Sequence, residues 1–499
     1  MRLTAWRVPG PARGRRRPDA VFVRGIVATA IVLAIAGCAD LPVSVRDPYN
    51  SAPPTSAAPW RPPASATRDR GLPLNGRVGA VQPDPDALYG IADLIDLAHH
   101  VNPDTRRAWE EARAAAAQAG RAEALYYPTL NFMASGGTSR VTYQTKDGPI
   151  AITGPGVTPQ VQLSWIILDF GRRRSTVEGR GQQLLQANYT FNRKLQEVAY
   201  AVARSYFVLD ASRARVTAAK VTLESASAVE EAVAARLAQG LATRPDLLLA
   251  RQERARAAYD VEDAIGAVSD AQAALAESIG ISPTPPLKVA DLSALPLPAG
   301  LTESVEDVID RALSRRPDLS ARLAALRARE AEVARAHAEF WPSLSVSGSV
   351  SQPIQRYTAS TPLLGPFMMN ETNYGAFLNF EWKLFDGFER ENSLREAASQ
   401  RGAAEAELAA LELRAIREVW KAYVDVKTAL SKREFALALV AAAEEAYAAT
   451  LESYRAAGLA TVLDLLAAQR DLARARLTEI QSRADILTSS AALTFAAGD

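Results

Sequence analysis

The 499-residue chain has one cysteine and three histidines. One cysteine forms no internal disulfide, and so few histidines nearly exclude Cys/His metal sites and histidine-based catalysis. The signatures GxSxG and HExxH and a phosphate-binding Gly-Lys loop are absent. His337-Ala338-Glu339 resembles a fragment of a deaminase site, but no Pro-Cys-x-x-Cys follows it. His99 and His100 are adjacent, so on a helix their side chains diverge. The chain reads as a non-enzyme that calls for no cofactor and no metal. It also lacks a charge excess: 57 Lys and Arg stand against 56 Asp and Glu, a net of +1. That balance excludes the basic footprint of a nucleic-acid partner.

The balance is uneven along the chain. Residues 1–37 hold seven Arg and one Asp, so the remainder carries 50 bases against 55 acids, a net of −5. Arg13, Arg15, Arg16, Arg17 and Arg24 precede an apolar run from Gly25 to Ala36. The run is shorter than the roughly 20 residues of a spanning helix and fits a secretory leader. It ends in Ile35-Ala36-Gly37-Cys38, which resembles the lipobox of bacterial lipoproteins. The resemblance implies cleavage before Cys38 and acylation of its sulfur. Ala39, in place of an inner-membrane-retaining Asp, implies export to the outer membrane. From Cys38 to about residue 88 the chain is rich in Pro, Ser and Ala, the composition of an extended tether.

The rest is a duplication. Ile95-Asp96-Leu97-Ala98 and Asn102-Pro103-Asp104 recur as Ile309-Asp310-Arg311-Ala312 and Arg316-Pro317-Asp318. Tyr127-Pro128-Thr129-Leu130 recurs as Trp341-Pro342-Ser343-Leu344, and Trp165 and Asp169 recur as Trp382 and Asp386. Gly240-Leu241-Ala242-Thr243 with Asp246 recurs as Gly458-Leu459-Ala460-Thr461 with Asp464. The order is kept and the offset drifts only from 214 to 218. The chain therefore divides into a leader (1–37), a tether (38–88), a first repeat (89–285) and a second (286–499), parted near Pro283-Thr284-Pro285-Pro286. Each repeat reads as a helix, a β-hairpin (about 129–168 and 343–384) and a long helical hairpin (about 171–280 and 388–490).

Val161, Leu163, Trp165 and Ile167 alternate with Gln160, Gln162, Ser164 and Ile166; Leu344 to Ser351 and Tyr374 to Trp382 alternate likewise, and Leu130 to Tyr143 less cleanly. Each segment is about ten residues, the length of a tilted membrane strand. A soluble sheet with one wet face gives the same alternation. Trp165, Phe170, Trp382 and Phe385 cluster at strand ends, where an aromatic girdle would lie. Four strands cannot close a barrel, since roughly eight are needed, so membrane strands here would require several chains.

Between Gly181 and Gly240 there is no Gly or Pro. Phe191, Leu195, Val198, Val202, Tyr206 and Leu209 form a seam, as do Leu413, Ile416, Trp420 and Tyr423. A helix of 60–70 residues is a rod of roughly 90–105 Å. Gly240 and Gly458 suit the left-handed position past a helix end, and Thr243-x-x-Asp246 and Thr461-x-x-Asp464 suit N-caps.

The Asn102-Pro103-Asp104 break, Tyr126-Tyr127-Pro128, Trp165 to Arg172, Trp382 to Gly387 and the Gly-Leu-Ala-Thr turns together resemble the TolC-like outer-membrane efflux factors, over about residues 89–490 in both halves. The lipobox resembles the lipoprotein branch serving RND-type pumps. The resemblance implies an α+β membrane protein: a homotrimer with a 12-stranded outer-membrane barrel, a 12-helix periplasmic α-barrel and an equatorial belt. It implies an exit duct for small molecules, joined by a periplasmic membrane-fusion adaptor to an inner-membrane pump. It places the tip residues Gly240, Leu241, Ala242, Thr243, Gly458, Leu459, Ala460 and Thr461 against the adaptor. Asp464, with Asp246 and Arg244, falls at the periplasmic gate. The family's second acid is here Ala467, which implies a thinner charged ring. A duct for protein secretion and a pore-less, lipid-tethered coiled-coil protein remain as alternatives.

Overall fold

The computed structural model describes residue 84 and residues 86–499, apart from 285–286, 293–295, 299, 362–363 and 457–459. Cys38 with the leader, nearly all of the tether, the Pro285-Pro286 boundary and the tip residues Gly458 and Leu459 lie outside the described residues.

The first half contains α1 (Ile91–Val101), α2 (Pro103–Glu123), β1 (Thr129–Thr145), β2 (Gly148–Leu168), α3 (Arg172–Ala238) and α4 (Arg244–Ile279). The second contains α5 (Val305–Arg315), α6 (Pro317–Ala338), β3 (Ser343–Ser351), β4 (Ile354–Ala359), β5 (Phe367–Asn370), β6 (Asn373–Glu381), α7 (Glu389–Ala456) and α8 (Val462–Ala497). The single helix read before each hairpin is thus two. Pro103 and Pro317 stand at the first helical position, where a missing N–H costs nothing. The Asn102 carboxamide oxygen accepts the Asp104 N–H at 2.8 Å, and its amide donates to the Ser278 carbonyl at 2.8 Å. Arg316 takes the same place in the second half and reaches the Ala496 carbonyl, the matching position on α8. The repeat therefore extends to the carbonyl contact, at 3.5 Å, but not to the side-chain cap.

The long helices α3 and α7 have 67 and 68 residues, about 100 Å each. On α3 the seam Val198, Val202, Tyr206 and Leu209 is buried. On α7 the sequence reading is corrected: Leu413 is 70% and Trp420 54% exposed, while Ala415, Val419, Ala422, Val426 and Ala429 are buried. Small side chains let the helices approach closely, and the large ones are displaced onto a face the single chain leaves open. Among the described residues no helix is long and apolar enough to cross a membrane.

The sheet runs β1-β2-β3-β6, with β4 and β5 continuing beyond β3 along the distal part of β2. The hairpin read over 343–384 is therefore four shorter strands, interrupted at Gln352-Pro353. β1 and β6 leave free edges. Register stacks Phe132, Val161, Val350 and Tyr374 across one face, with Leu130, Leu163, Trp165, Val346, Leu378, Leu344 and Phe380 in neighbouring rows. The opposite face carries Asn131, Gln162, Ser349, Ser164, Ser347, Ser345, Asn379, Ser343 and Glu381, with Ile166 and the exposed Phe377 among them.

The uneven alternation of β1 has a cause. Its register against β2 is unbroken, yet beyond the pair Gly137↔Gly156 the apolar residues change parity, to Val141 opposite Ile152 and Tyr143 opposite Ile150. Proximally the apolar side is exposed; distally it borders a small core of buried Ile152 and Tyr357, with Val141 and Tyr143 themselves 40% and 53% exposed. That core closes on Gly154, where an added Cβ would stand 1.8 Å from the Arg356 carbonyl oxygen. Gly154→Ala is expected to lift β4 from β2 at a cost of about 1–3 kcal/mol or more. Faster tryptic cutting after Arg356 would show it; unchanged cutting would refute the contact.

Candidate functional site

Two regions collect the candidate residues: the helical tips and the junction between sheet and helices. At the first tip Gly240 has φ +74°, the left-handed conformation that favours glycine. The Leu241 N–H donates to the Arg236 carbonyl at 2.8 Å, and the Leu241 side chain is exposed. Ala242 packs against the tip core. Thr243 caps α4: its N–H and hydroxyl donate to Asp246 Oδ2 at 2.9 and 2.7 Å, while its hydroxyl oxygen accepts the Asp246 N–H. Thr461 and Asp464 repeat this on α8 at 2.9 and 2.7 Å, and Ala460 joins the same core as Ala242. Arg244 is exposed at the start of α4.

The Thr243 and Thr461 hydrogen bonds hold the Asp246 and Asp464 carboxyls below their ordinary range. Both carboxylates are therefore already engaged in capping boxes. The sign follows: a depressed folded pKa adds stability at neutral pH that is lost as pH falls below the ordinary carboxylate value. Thr243→Ala and Thr461→Ala are each expected to cost about 1 kcal/mol of local helix stability. Amide exchange confined to the first turns of α4 and α8 would report it, and unchanged exchange would remove the caps.

A core of Val229, Val233, Ala250, Tyr454, Val462, Leu465 and Leu466 joins the two tips. Arg236 lies 4.6 Å from the Tyr454 ring centre and donates to the Tyr454 carbonyl. Sequence reasoning missed both residues; only their nearness to the Gly turns signalled them.

At the sheet–helix junction the Trp165 indole N–H donates to the Tyr126 carbonyl at 2.9 Å, and the Trp382 indole to the Phe340 carbonyl at 3.2 Å. Phe170 stacks on Trp341 at 5.5 Å. Phe385 is 78% exposed and meets Phe388 edge-on at 5.9 Å. Trp165, Phe170, Trp382 and Phe385 thus lie at one end of the sheet, beside the exposed Tyr127, Trp341 and Phe388.

Each junction turn uses two successive left-handed residues, Phe170 (φ +51°) then Gly171 (+99°), and Gly387 (+69°) then Phe388 (+69°). The order of the two residue types is reversed between halves, so a motif search for one misses the other. Buried ion pairs brace both turns: Asp169–Arg173 at 2.9 Å and Asp386–Arg390 at 2.5 Å. Arg173 also donates to the Ile166 and Ile167 carbonyls, which the bulge between Ile166 and Leu168 frees.

The family model "Outer membrane efflux protein" matches residues 94–281 and 308–499. Protein CyaE of Bordetella pertussis is 29% identical over 419 residues, covering 84% of this chain and 86% of that one. Outer membrane protein OprJ of Pseudomonas aeruginosa is 26% identical over 391 residues, covering 76% and 77%. The fold is similar to that of the outer membrane protein VceC from Vibrio cholerae, with TM-score 0.69 at 21% identity over 82% of this chain and 96% of that one. With a family match in both halves, the chain belongs to the outer membrane efflux protein family.

Proposed function

We propose that three copies of this chain close one outer-membrane barrel of twelve strands, continued by a tunnel of twelve helices. Membership of the family makes the chain the outer-membrane channel component of a tripartite efflux system. One observation carries the trimer: a sheet with one apolar and one mostly polar face and free edges at β1 and β6. At membrane level it supplies four strands, too few to close alone. The exposed Leu413 and Trp420 on α7 support neighbouring copies along the helices as well. The nine residues of β3 and of β6 rise roughly 23 Å at a 40° tilt, close to the roughly 25 Å apolar band of such barrels.

In this reading Cys38 is acylated, and the tips meet a periplasmic adaptor serving an inner-membrane pump of RND type. The gate lies at Asp464, Asp246 and Arg244, and small molecules leave passively. The deciding measurement is the native mass of the detergent-solubilised protein together with its conductance in a planar bilayer. Three copies and an open-channel current are expected; a conducting monomer or dimer overturns the trimer. Cys38→Ser is expected to abolish incorporation of labelled palmitate. An Asp464→Ala protein with unaltered conductance and ion preference would remove Asp464 from the gate.

A further inference from the structure

A cavity of about 230 Å³ opens at the sheet–helix junction, lined by Arg172, Glu381, Lys383 and Glu389, with Ser343 and Trp341 among its walls. Other charges in this wall are matched: Asp169 with Arg173, Arg390 with Asp386, Glu339 with Arg335. Arg172 is half-buried and Glu381, Lys383 and Glu389 are exposed, and among the described residues their side chains have no hydrogen-bond or ion-pair partner. Helix stability does not account for Arg172. It stands at the first position of α3, where a positive charge opposes the helix dipole. Glu381 pairs in register with Ser343, on the polar face shared by Ser345, Asn379 and Ser347. The cavity thus belongs to the side of the sheet that is wet if the duct reading is right, and the inference rests on that reading.

We infer that this cavity is a charge-handling station at the neck of the duct, where Glu381 and Glu389 take the cationic end, and Arg172 and Lys383 the anionic end, of a zwitterionic solute in transit. The volume holds several waters at about 30 Å³ each, enough for an ammonium and a carboxylate or phosphate side by side. Two charges of each sign line the cavity, so it sets no net trap for either sign. A solute group is therefore held in passing and not retained, as a duct requires.

The test uses the full chain carrying Ser343→Cys and two methanethiosulfonate reagents of similar size, one cationic and one anionic, at about 0.01 M salt, where screening extends roughly 30 Å. Reagents enter through the barrel mouth, so the periplasmic gate does not limit them. Labelling of the parent, which has only Cys38, is subtracted. Arg172→Gln with Lys383→Gln is expected to raise the cationic-to-anionic rate ratio about threefold or more, and Glu381→Gln with Glu389→Gln to lower it similarly. Both differences should vanish at about 1 M salt. Equal ratios in all three proteins overturn the station and leave the duct standing. If the thiol introduced by Ser343→Cys reacts only after denaturation, both are overturned, because the polar face would then not be wet.

Discussion

Arg316→Leu is expected to destabilise the folded chain by about 3 kcal/mol, the lower end of the range for breaking a buried ion pair. Arg316 is 2% exposed. Its guanidinium donates to Asp318 at 3.1 and 2.7 Å and to Glu418 on α7 at 2.9 Å, and Arg193 of α3 stands 4.0 Å from Asp318. Removal leaves two carboxylates facing one partly matched guanidinium. Glu418 keeps over a third of its side chain in water, which moderates the cost. A control separates charge from packing. Arg316→Asn with Glu418→Gln places in the second half the residue that Asn102 supplies in the first, and should recover most of the loss. If packing alone mattered, the double variant would be no better than the single one. Burial pushes the Asp318 carboxyl up, but the Arg316 hydrogen bond and the Arg193 and Arg316 charges outweigh it and hold it below its ordinary range. The Arg316 contribution is therefore full at neutral pH and fades as pH falls below about 3.9. The thermal midpoint by circular dichroism should show the gap between parent and Arg316→Leu narrowing in acid.

That position also shows how far the sequence could be read. Arg316-Pro317-Asp318 was recognisable as the counterpart of Asn102-Pro103-Asp104, because a proline after a polar cap announces a helix start by itself. That Arg316 would be buried was not readable, since of its two counter-charges only Asp318 is local and Glu418 lies 102 residues away. The tips were legible for the same reason as the break. Thr243-x-x-Asp246 and Thr461-x-x-Asp464 act within one turn, and the cap geometry follows from spacing alone.

The α7 seam fails by the opposite logic. Leu413, Ile416, Trp420 and Tyr423 have seam spacing and size, but intrachain burial falls on Ala415, Val419 and Ala422. Spacing alone cannot distinguish a face that meets its own chain from one left for a neighbour. In the proposed tunnel α7 would have helices on both sides. The strand pattern was legible where one face meets one environment, as in Val161 to Ile167. It blurred in β1, where the apolar side changes face at Gly137 and shares the new face with Ile152 and with Tyr357, more than 200 residues on.

Leu465→Ala is expected to loosen the tip more than any change at its charged residues. Leu465 is fully buried, between Val229 and Val233 of α3, Ala250 of α4 and Tyr454 of α7. This core holds one hairpin of the chain to the other, and truncating a buried leucine costs about 2–5 kcal/mol. Polar contacts cannot replace it. Among the described residues the Arg236 side chain reaches only the Tyr454 ring and carbonyl, and the buried Tyr454 hydroxyl has no hydrogen-bond partner. Burial, with the Asp246 charge, pushes that phenol up against the opposing pull of Arg236. Tyr454→Phe should accordingly be neutral or slightly stabilising, because it removes an unsatisfied group. For Leu465→Ala, a loss of about 2 kcal/mol corresponds to a roughly 30-fold rise in amide exchange around Thr243 and Thr461. If the tips form the narrow end of the duct, bilayer conductance rises with it. Leu487→Ala is the matched control: Leu487 is buried in a different core, with Leu209, Leu275 and Leu292. It should lower global stability without raising conductance. Equal conductance in the two variants would mean that the contact between hairpins, although it stabilises the tip, does not set its opening.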